Sequence, residues 1–204
     1  MPVVHLVRHG QASVGAADYD QLSELGRAQS VVVGATLAAR GLRSPVVVAG
    51  TLRRQRDTAA LALPGVPVTV DGRWDEYDHH ALLTRYVGAE APRDSRALQI
   101  LLDEALGAWV RDPTGGWSTF HADAVAALTA LDLPPGRDAV VFTSGGVIAA
   151  VCGHLLGLDA AGVGALNRGA VTGALTKLAV GSSGTTLVTF NEHGHFDAAQ
   201  TTYR

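Results

Sequence analysis

The sequence predicts an α/β protein, a three-layer α/β/α sandwich around a mainly parallel, mixed central sheet. Three observations carry that expectation. Short runs rich in β-branched apolar residues, at residues 3–7, 46–49 and 138–142, alternate with longer stretches of helical periodicity. The runs are apolar at nearly every position instead of every second one, as strands covered by helices on both faces should be. Two late strand-like runs, residues 170–180 and 185–190, are joined by Gly181-Ser182-Ser183-Gly184, a hairpin connection that makes the sheet mixed.

In chain order, the first strand stops at Arg8-His9-Gly10 and a loop follows to Leu22. Ser23 is a plausible helix cap, and Leu25, Ala28, Val32, Ala35 and Ala39 recur at helical spacing until Gly41. After the strand at residues 46–49, Gly50-Thr51 turns the chain into a helix that Pro64 stops. A third strand is expected over residues 66–70, leading into an irregular polar segment through His80. From Arg93 to about Val110 the pattern is helical, with Leu98, Leu101, Leu102, Ala105 and Trp109 on one side. Ser118 should cap the next helix, through Leu131. The strand at residues 138–142 then runs through Ser144-Gly145-Gly146 into a helix ending near Gly157.

Bulk properties narrow the function. At 204 residues the chain suits one domain spanning 1–204, with no repeat or linker. The hydrophobic fraction of 47% against 17% charged is that of a globular chain, not a disordered one. A net charge of −3 gives no global basic field, so neither nucleic acid nor an anionic membrane is an expected partner. Any anion site must be a local cluster of cations. Cys152 is the one cysteine, which excludes a disulfide framework and a cysteine-based zinc site. Its apolar surroundings suggest an inert thiol. The most apolar region, residues 139–158, is interrupted by Thr143-Ser144-Gly145-Gly146 and carries His154, so it does not read as a membrane span. With no basic leader, a cytoplasmic enzyme is the expectation. Nothing in the pattern sets an oligomeric state.

The residues that carry chemistry lie at the ends of strands. Ligands of α/β sheets bind beyond the carboxyl ends of parallel strands, and Arg8 and His9 stand at such an end. A cation beside an imidazole suits an anionic substrate. Arg54 falls in the first turn of a helix that follows a strand, where free N–H groups and the helix dipole favour an anion. Thr58 and Leu61 follow at helical spacing, so Arg54 should face the body of the protein, with Arg53 and Arg56 pointing elsewhere. In Arg73-Trp74-Asp75-Glu76-Tyr77-Asp78-His79-His80 a carboxyl group of raised pKa could donate a proton to a leaving oxygen. Asp75, Glu76 and Asp78 all compete for that part. His79 and His80 read as loop surface, and His79 is also a candidate substrate contact. No spacing of the histidines supports a metal site.

Val4-His5-Leu6-Val7-Arg8-His9-Gly10 resembles the signature of the histidine phosphatase (phosphoglycerate-mutase-like) superfamily. The segment from Gly50 to Ala59 is similar to that family's second arginine element. The resemblance implies the same sandwich fold, His9 as the nucleophile that accepts a phosphoryl group, and Arg8 and Arg54 as phosphate ligands. It also implies Glu76, two residues after Trp74, as the proton donor. One element departs from the pattern: Ser144 stands where the family has a second histidine. Its hydroxyl, with the backbone at Gly145, is expected to bind phosphate oxygens in place of an imidazole. Gln11-Ala12-Ser13 replaces the commoner residues after the nucleophile, which leaves Gln11 and Ser13 as candidate substrate contacts. The expected function is a metal-independent, cofactor-free phosphomonoesterase acting on a small phosphorylated substrate through a phosphohistidine. The alternatives are a weak or inactive member that binds phosphorylated ligands or a partner, and a phosphoglycerate-type mutase.

Overall fold

The computed structural model describes residues 1–13, 20–42, 44–88, 95–134 and 136–203. In chain order its elements are β1 (Val3–Arg8), α1 (Glu24–Ala39), β2 (Val46–Ala49), α2 (Arg53–Ala62), β3 (Thr69–Val70) and α3 (His79–Tyr86). Then come α4 (Ser95–Arg111), α5 (Trp117–Thr129), β4 (Ala139–Thr143), α6 (Gly145–Leu156), α7 (Ala160–Gly169), β5 (Leu175–Gly181) and β6 (Gly184–Glu192). The strand order is β3-β2-β4-β1-β5-β6. The first four of these strands run parallel, β5 is antiparallel to β1, and β6 is antiparallel to β5. The mixed sheet and its late hairpin follow the sequence expectation.

Both faces of the sheet are covered, which explains the unbroken apolar runs. Val7, Val47, Ala49, Val140, Phe142 and Leu175 face α1 and α2. Val4, Leu6, Val48, Val141 and Leu178 face α5 and α6. Successive residues of each strand thus enter different cores. Phe142 is fully buried, and cutting it to alanine would cost about 3–5 kcal/mol. A third apolar cluster, Leu82, Leu83, Ala105, Leu106 and Trp109, joins α3 to α4. Tyr77 packs against it, its ring centroid 5.3 Å from that of Trp109 and 5.9 Å from that of Phe120.

Several elements differ from expectation for local reasons. The third strand shrinks to Thr69–Val70, because Pro67 has no N–H to give to a ladder. The polar segment after it holds a 3₁₀ turn, Gly72–Trp74, capped by Asp71, and then enters α3, capped by Asp78. Helix α7 is unexpected, since Gly162 and Gly164 weaken its helical signature. Asp159 starts it by accepting from Gly162 N at 2.9 Å. Helix α5 begins at Trp117 on Gly116, whose φ of +88° suits glycine, and not on Ser118. It ends at Thr129. Strand β5 starts at Leu175, after Gly173 has turned the chain with φ +73°. Most of the loop expected between the nucleophile and Leu22, and the first residues of the helix expected from Arg93, lie outside the described residues. Cys152 is buried and its thiol is pushed up to about 12 by burial. No helix among the described residues is long and apolar enough to cross a membrane.

Candidate active site

The site forms where β1 and β4 end side by side. Arg8 is in register with Thr143, and His9 N donates to Thr143 O at 2.9 Å. His9 and Ser144 therefore leave the sheet together. Gly10 then passes within touching distance of α1: a methyl group on it would lie 2.3 Å from Gly26 O. A methyl on Gly26 would meet Gln11 O at 2.1 Å, so both glycines are needed for this approach. Thr58 Oγ1 of α2 accepts from Gly10 N at 3.0 Å and fixes the same turn.

His9 is 5% exposed. Its Nδ1 lies 2.7 Å from Gly10 O, and a carbonyl can only accept, so Nδ1 carries the hydrogen. The lone pair of the neutral ring is then on Nε2, which accepts from Arg54 Nε at 3.1 Å. Burial first, then the Arg54 and Arg8 charges, hold the imidazole pKa well below 6.5. At neutral pH this is an unprotonated nitrogen facing two guanidinium groups, the form a nucleophile needs.

Arg54 is buried on α2, while Arg53 and Arg56 are exposed, as the helical spacing predicted. Its Nη1 donates to Asp20 Oδ1 at 2.7 Å. Asp20 also accepts from Arg53 N at 2.7 Å, and so caps α2 while it holds Arg54 with its Nε toward His9. The sequence reading had no place for Asp20. Arg8 is half-buried. Its Nη1 donates to the carbonyls of Ala170 and, at 3.0 Å, Tyr203. A methyl on Gly145 would sit 3.4 Å from both Arg8 Nε and Asn167 Oδ1, so the guanidinium lies against the N-terminus of α6.

The three carboxylates after β3 take different positions. Asp75 accepts from Thr51 N and Thr51 Oγ1, and Asp78 caps α3 through His80 N at 2.9 Å and Ala81 N at 3.0 Å. Glu76 turns inward. Its Oε2 accepts from Gly146 N at 3.0 Å and its Oε1 from Tyr77 N at 3.2 Å. A methyl on Gly146 would lie 2.2 Å from Glu76 Oε1 and 2.4 Å from the Tyr77 ring, so this approach requires glycine. Burial raises the Glu76 pKa above 4.5, against the opposing pull of Gly146 N–H, Arg54 and Arg8. The same two arginines act on His9 and on Glu76, which puts all four groups in one field. Tyr77 OH accepts from Asn167 Nδ2 at 3.2 Å, completing this wall.

Ser144 is fully buried, and its Oγ accepts from Gln55 Nε2 at 2.9 Å. Gln55 also donates to Trp74 O at 2.9 Å, tying α2, the segment before Glu76 and the end of β4 together. The expected contacts beyond the phosphate pocket divide. The Gln11 side chain accepts from Ser23 Oγ at 2.8 Å and so helps start α1. Ser13 N donates to Gln21 O at 2.8 Å, and its side chain is half-buried. His79 begins α3, stacked on His80 with ring centroids 4.1 Å apart. Burial, His80 and Arg54 lower its pKa to about 4, so it is neutral at pH 7. Among the described residues no group of three His, Cys, Asp or Glu could hold a metal ion.

A neutral histidine facing two arginines at the carboxyl ends of parallel strands, with the half-buried Glu76 carboxyl group beside them, suits an anionic ligand. The chain belongs to the histidine phosphatase superfamily (branch 1), whose model matches residues 4–193. Among solved structures it resembles a mycobacterial glucosyl-3-phosphoglycerate phosphatase at 29% identity and a TM-score of 0.67, over 95% of this chain and 100% of that one. A protein described as mycobacterial hydrolase 1 is 27% identical with a TM-score of 0.67, over 95% and 99% of the two chains. A phosphoserine phosphatase from Entamoeba histolytica shares the fold at 16% identity and a TM-score of 0.65, over 96% and 99%. Among curated proteins no sequence match was found.

Proposed function

We propose that the chain is a phosphomonoesterase that hydrolyses small phosphate esters through a phosphohistidine on His9, without a metal ion or other cofactor. The observation that carries this reading is the His9 tautomer. Nδ1–H is spent on Gly10 O, and the Nε2 lone pair faces the Arg54 guanidinium at 3.1 Å. When an ester enters, Arg54 Nε exchanges His9 for a phosphoryl oxygen, and Arg8 and the backbone at Gly145 face the other oxygens. The Nε2–P bond forms as the P–O bond to the alcohol breaks. Glu76, whose carboxyl pKa burial raises, gives a proton to the departing oxygen. In the second half, water attacks phosphorus, its proton passes to the Glu76 carboxylate, and the N–P bond breaks to release phosphate.

Substrate class follows from similarity alone: the 29%-identical neighbour is a phosphatase of a sugar-linked phosphoglycerate. Small, polar, anionic phosphate esters are accordingly the compounds to screen first. The test is phosphate release from such a panel by the wild-type chain and by His9→Ala, with rapid mixing to trap an acid-labile phosphoenzyme. Turnover and trapped phosphoenzyme that vanish in His9→Ala support the reading. Turnover that survives His9→Ala removes His9 as nucleophile.

A second reading, a phosphate-binding module with little or no turnover, draws on Ser144. By the family resemblance Ser144 takes the place of a second histidine, and its hydroxyl oxygen accepts from Gln55. Loss of one oriented donor costs about 10²–10³ in rate, so a slow enzyme is the expected consequence. Tight binding of inorganic phosphate with no turnover on any ester would favour the module. A mutase would transfer the phosphoryl group between hydroxyls of a phosphoglycerate instead of to water, and the same panel separates it by its products.

A further inference from the structure

We propose that the chain has a second small-molecule site, for a small oxyanion (a carboxylate or phosphate), in a cavity that His5, Lys177 and Arg40 line. The cavity has a volume of about 430 Å³ and lies on the face of the sheet that carries α1. It opens where α1 has ended, so β1, β5 and β6 form its floor. In a strand otherwise made of valine and leucine up to its terminal arginine, His5 is the polar exception. It is in register with Lys177 of β5, and Lys177 with Thr189 of β6, so a polar row crosses three strands. Asp138 and the Arg40–Glu192 ion pair border it.

The free valences of this row suit an anion. His5 is 2% exposed, and its Nδ1 has no hydrogen-bond partner among the described residues. A buried ring nitrogen left unpaired is unfavourable, so a partner entering the cavity relieves that loss. Lys177 is the only lysine in the chain and makes no ion pair among the described residues. The carboxylates, by contrast, are engaged: Glu192 with Arg40, and Asp138 Oδ1 with Val3 N at 3.0 Å. An oxyanion can accept from the Lys177 ammonium and from His5 Nδ1–H at once, whereas a cation would find no unengaged acceptor of full charge. The groups that bear on His5 are Arg40 and Lys177, which lower its pKa, and Glu192 and Asp138, which raise it. Burial dominates and holds the pKa down to about 4, so the ring is neutral at pH 7 and one ring nitrogen carries a hydrogen. This site is separate from the His9 pocket, because His5 lies within β1 and His9 just beyond its end, with the Val7 side chain in the core between them.

The experiment is NMR of the full chain labelled with ¹⁵N-histidine, with the His5 ring assigned through His5→Gln. Inorganic phosphate and malonate are titrated separately at matched ionic strength. The expected result is a saturable shift of the His5 ring nitrogens. A response to malonate alone assigns a carboxylate ligand, to phosphate alone a phosphate ligand, and to both the shared oxyanion chemistry. Only phosphate is expected to move His9 as well. Lys177→Met should weaken binding about tenfold to a hundredfold, the loss of one charge-assisted hydrogen bond, while Lys177→Arg keeps most of it. If Lys177→Met does not fold, Lys177→Gln is the neutral comparison. No saturable shift of His5 with either probe, a shift that sodium chloride reproduces, or unchanged affinity in the neutral variant would overturn the proposal.

Discussion

Replacing Glu76 by glutamine separates the proton-donor reading from a merely structural one. The two side chains have the same shape, so the environment should persist. In Glu76→Gln the amide oxygen can still accept from Gly146 N, the 3.0 Å bond, while the amide nitrogen loses the weaker 3.2 Å contact with Tyr77 N. The structural cost is therefore one marginal hydrogen bond, about 1 kcal/mol. The catalytic cost is larger and depends on the leaving group. An alkyl alcohol cannot leave as an alkoxide, so kcat/KM for an alkyl phosphate should fall about 10²–10⁴-fold, the usual worth of a positioned acid. An aryl phosphate leaves unaided, and its loss should stay below about tenfold. The pH profile adds a sign. Activity needs His9 neutral, so it falls on the acid side below pH 6.5, by way of the depressed His9 pKa. It needs Glu76 protonated, so for alkyl esters it falls on the alkaline side, above the ordinary carboxyl pKa of 4.5 that burial has raised. In Glu76→Gln the alkaline fall should disappear and the acid fall remain. The assay is steady-state kinetics on a series of esters of graded leaving-group pKa. Equal losses across the series, or an alkaline limb that survives, would refute the role of Glu76.

Asp20→Ala should destabilise α2 by about 1 kcal/mol through the lost cap. It should also lower kcat/KM about tenfold to a hundredfold as Arg54 loses its anchor, and unchanged kinetics would show that Arg54 is held without it. Gly26→Ala puts a methyl 2.1 Å from the Gln11 backbone oxygen and should cost about 1–3 kcal/mol by thermal denaturation. Activity should fall with it, because the displaced turn carries His9. Stability should also decline with acid. His5 and His79 are held neutral with pKa values of about 4, so the unfolded chain binds more protons than the folded one below pH 6.5. Their contribution is present above that pH and is lost as pH falls toward about 4. The melting temperature measured across this range should decrease, less steeply in His5→Gln, and a flat profile would contradict it.

The sequence by itself determined the layers and the heart of the proposed site. Apolar runs without alternation require helices on both faces, and the cores on the two sides of Val4 to Val7 are the result. Arg8-His9-Gly10 and Arg54 were legible because each is a local event: a strand end, and the first turn of a helix. What only the tertiary structure decided are the partners brought from far along the chain. Asp20 reaches Arg54 across 34 positions, and Gly146 meets Glu76 across 70. No local rule distinguishes Glu76 from Asp75 and Asp78, since all three are acids in one polar loop. They separate only when Thr51 and the start of α3 engage the two aspartates and the glycines of α6 leave room for the glutamate. The family resemblance places Ser144 in the proposed phosphate pocket, while the donor its oxygen accepts from, Gln55, belongs to another helix and no local rule names it. His5, Lys177 and Thr189 belong to three strands and become a row only through sheet register. Periodicity and capping are properties of neighbouring residues and can be read along the chain. Hydrogen-bond partners and shared electric fields belong to residues adjacent only in space, and the packing of the layers selects them.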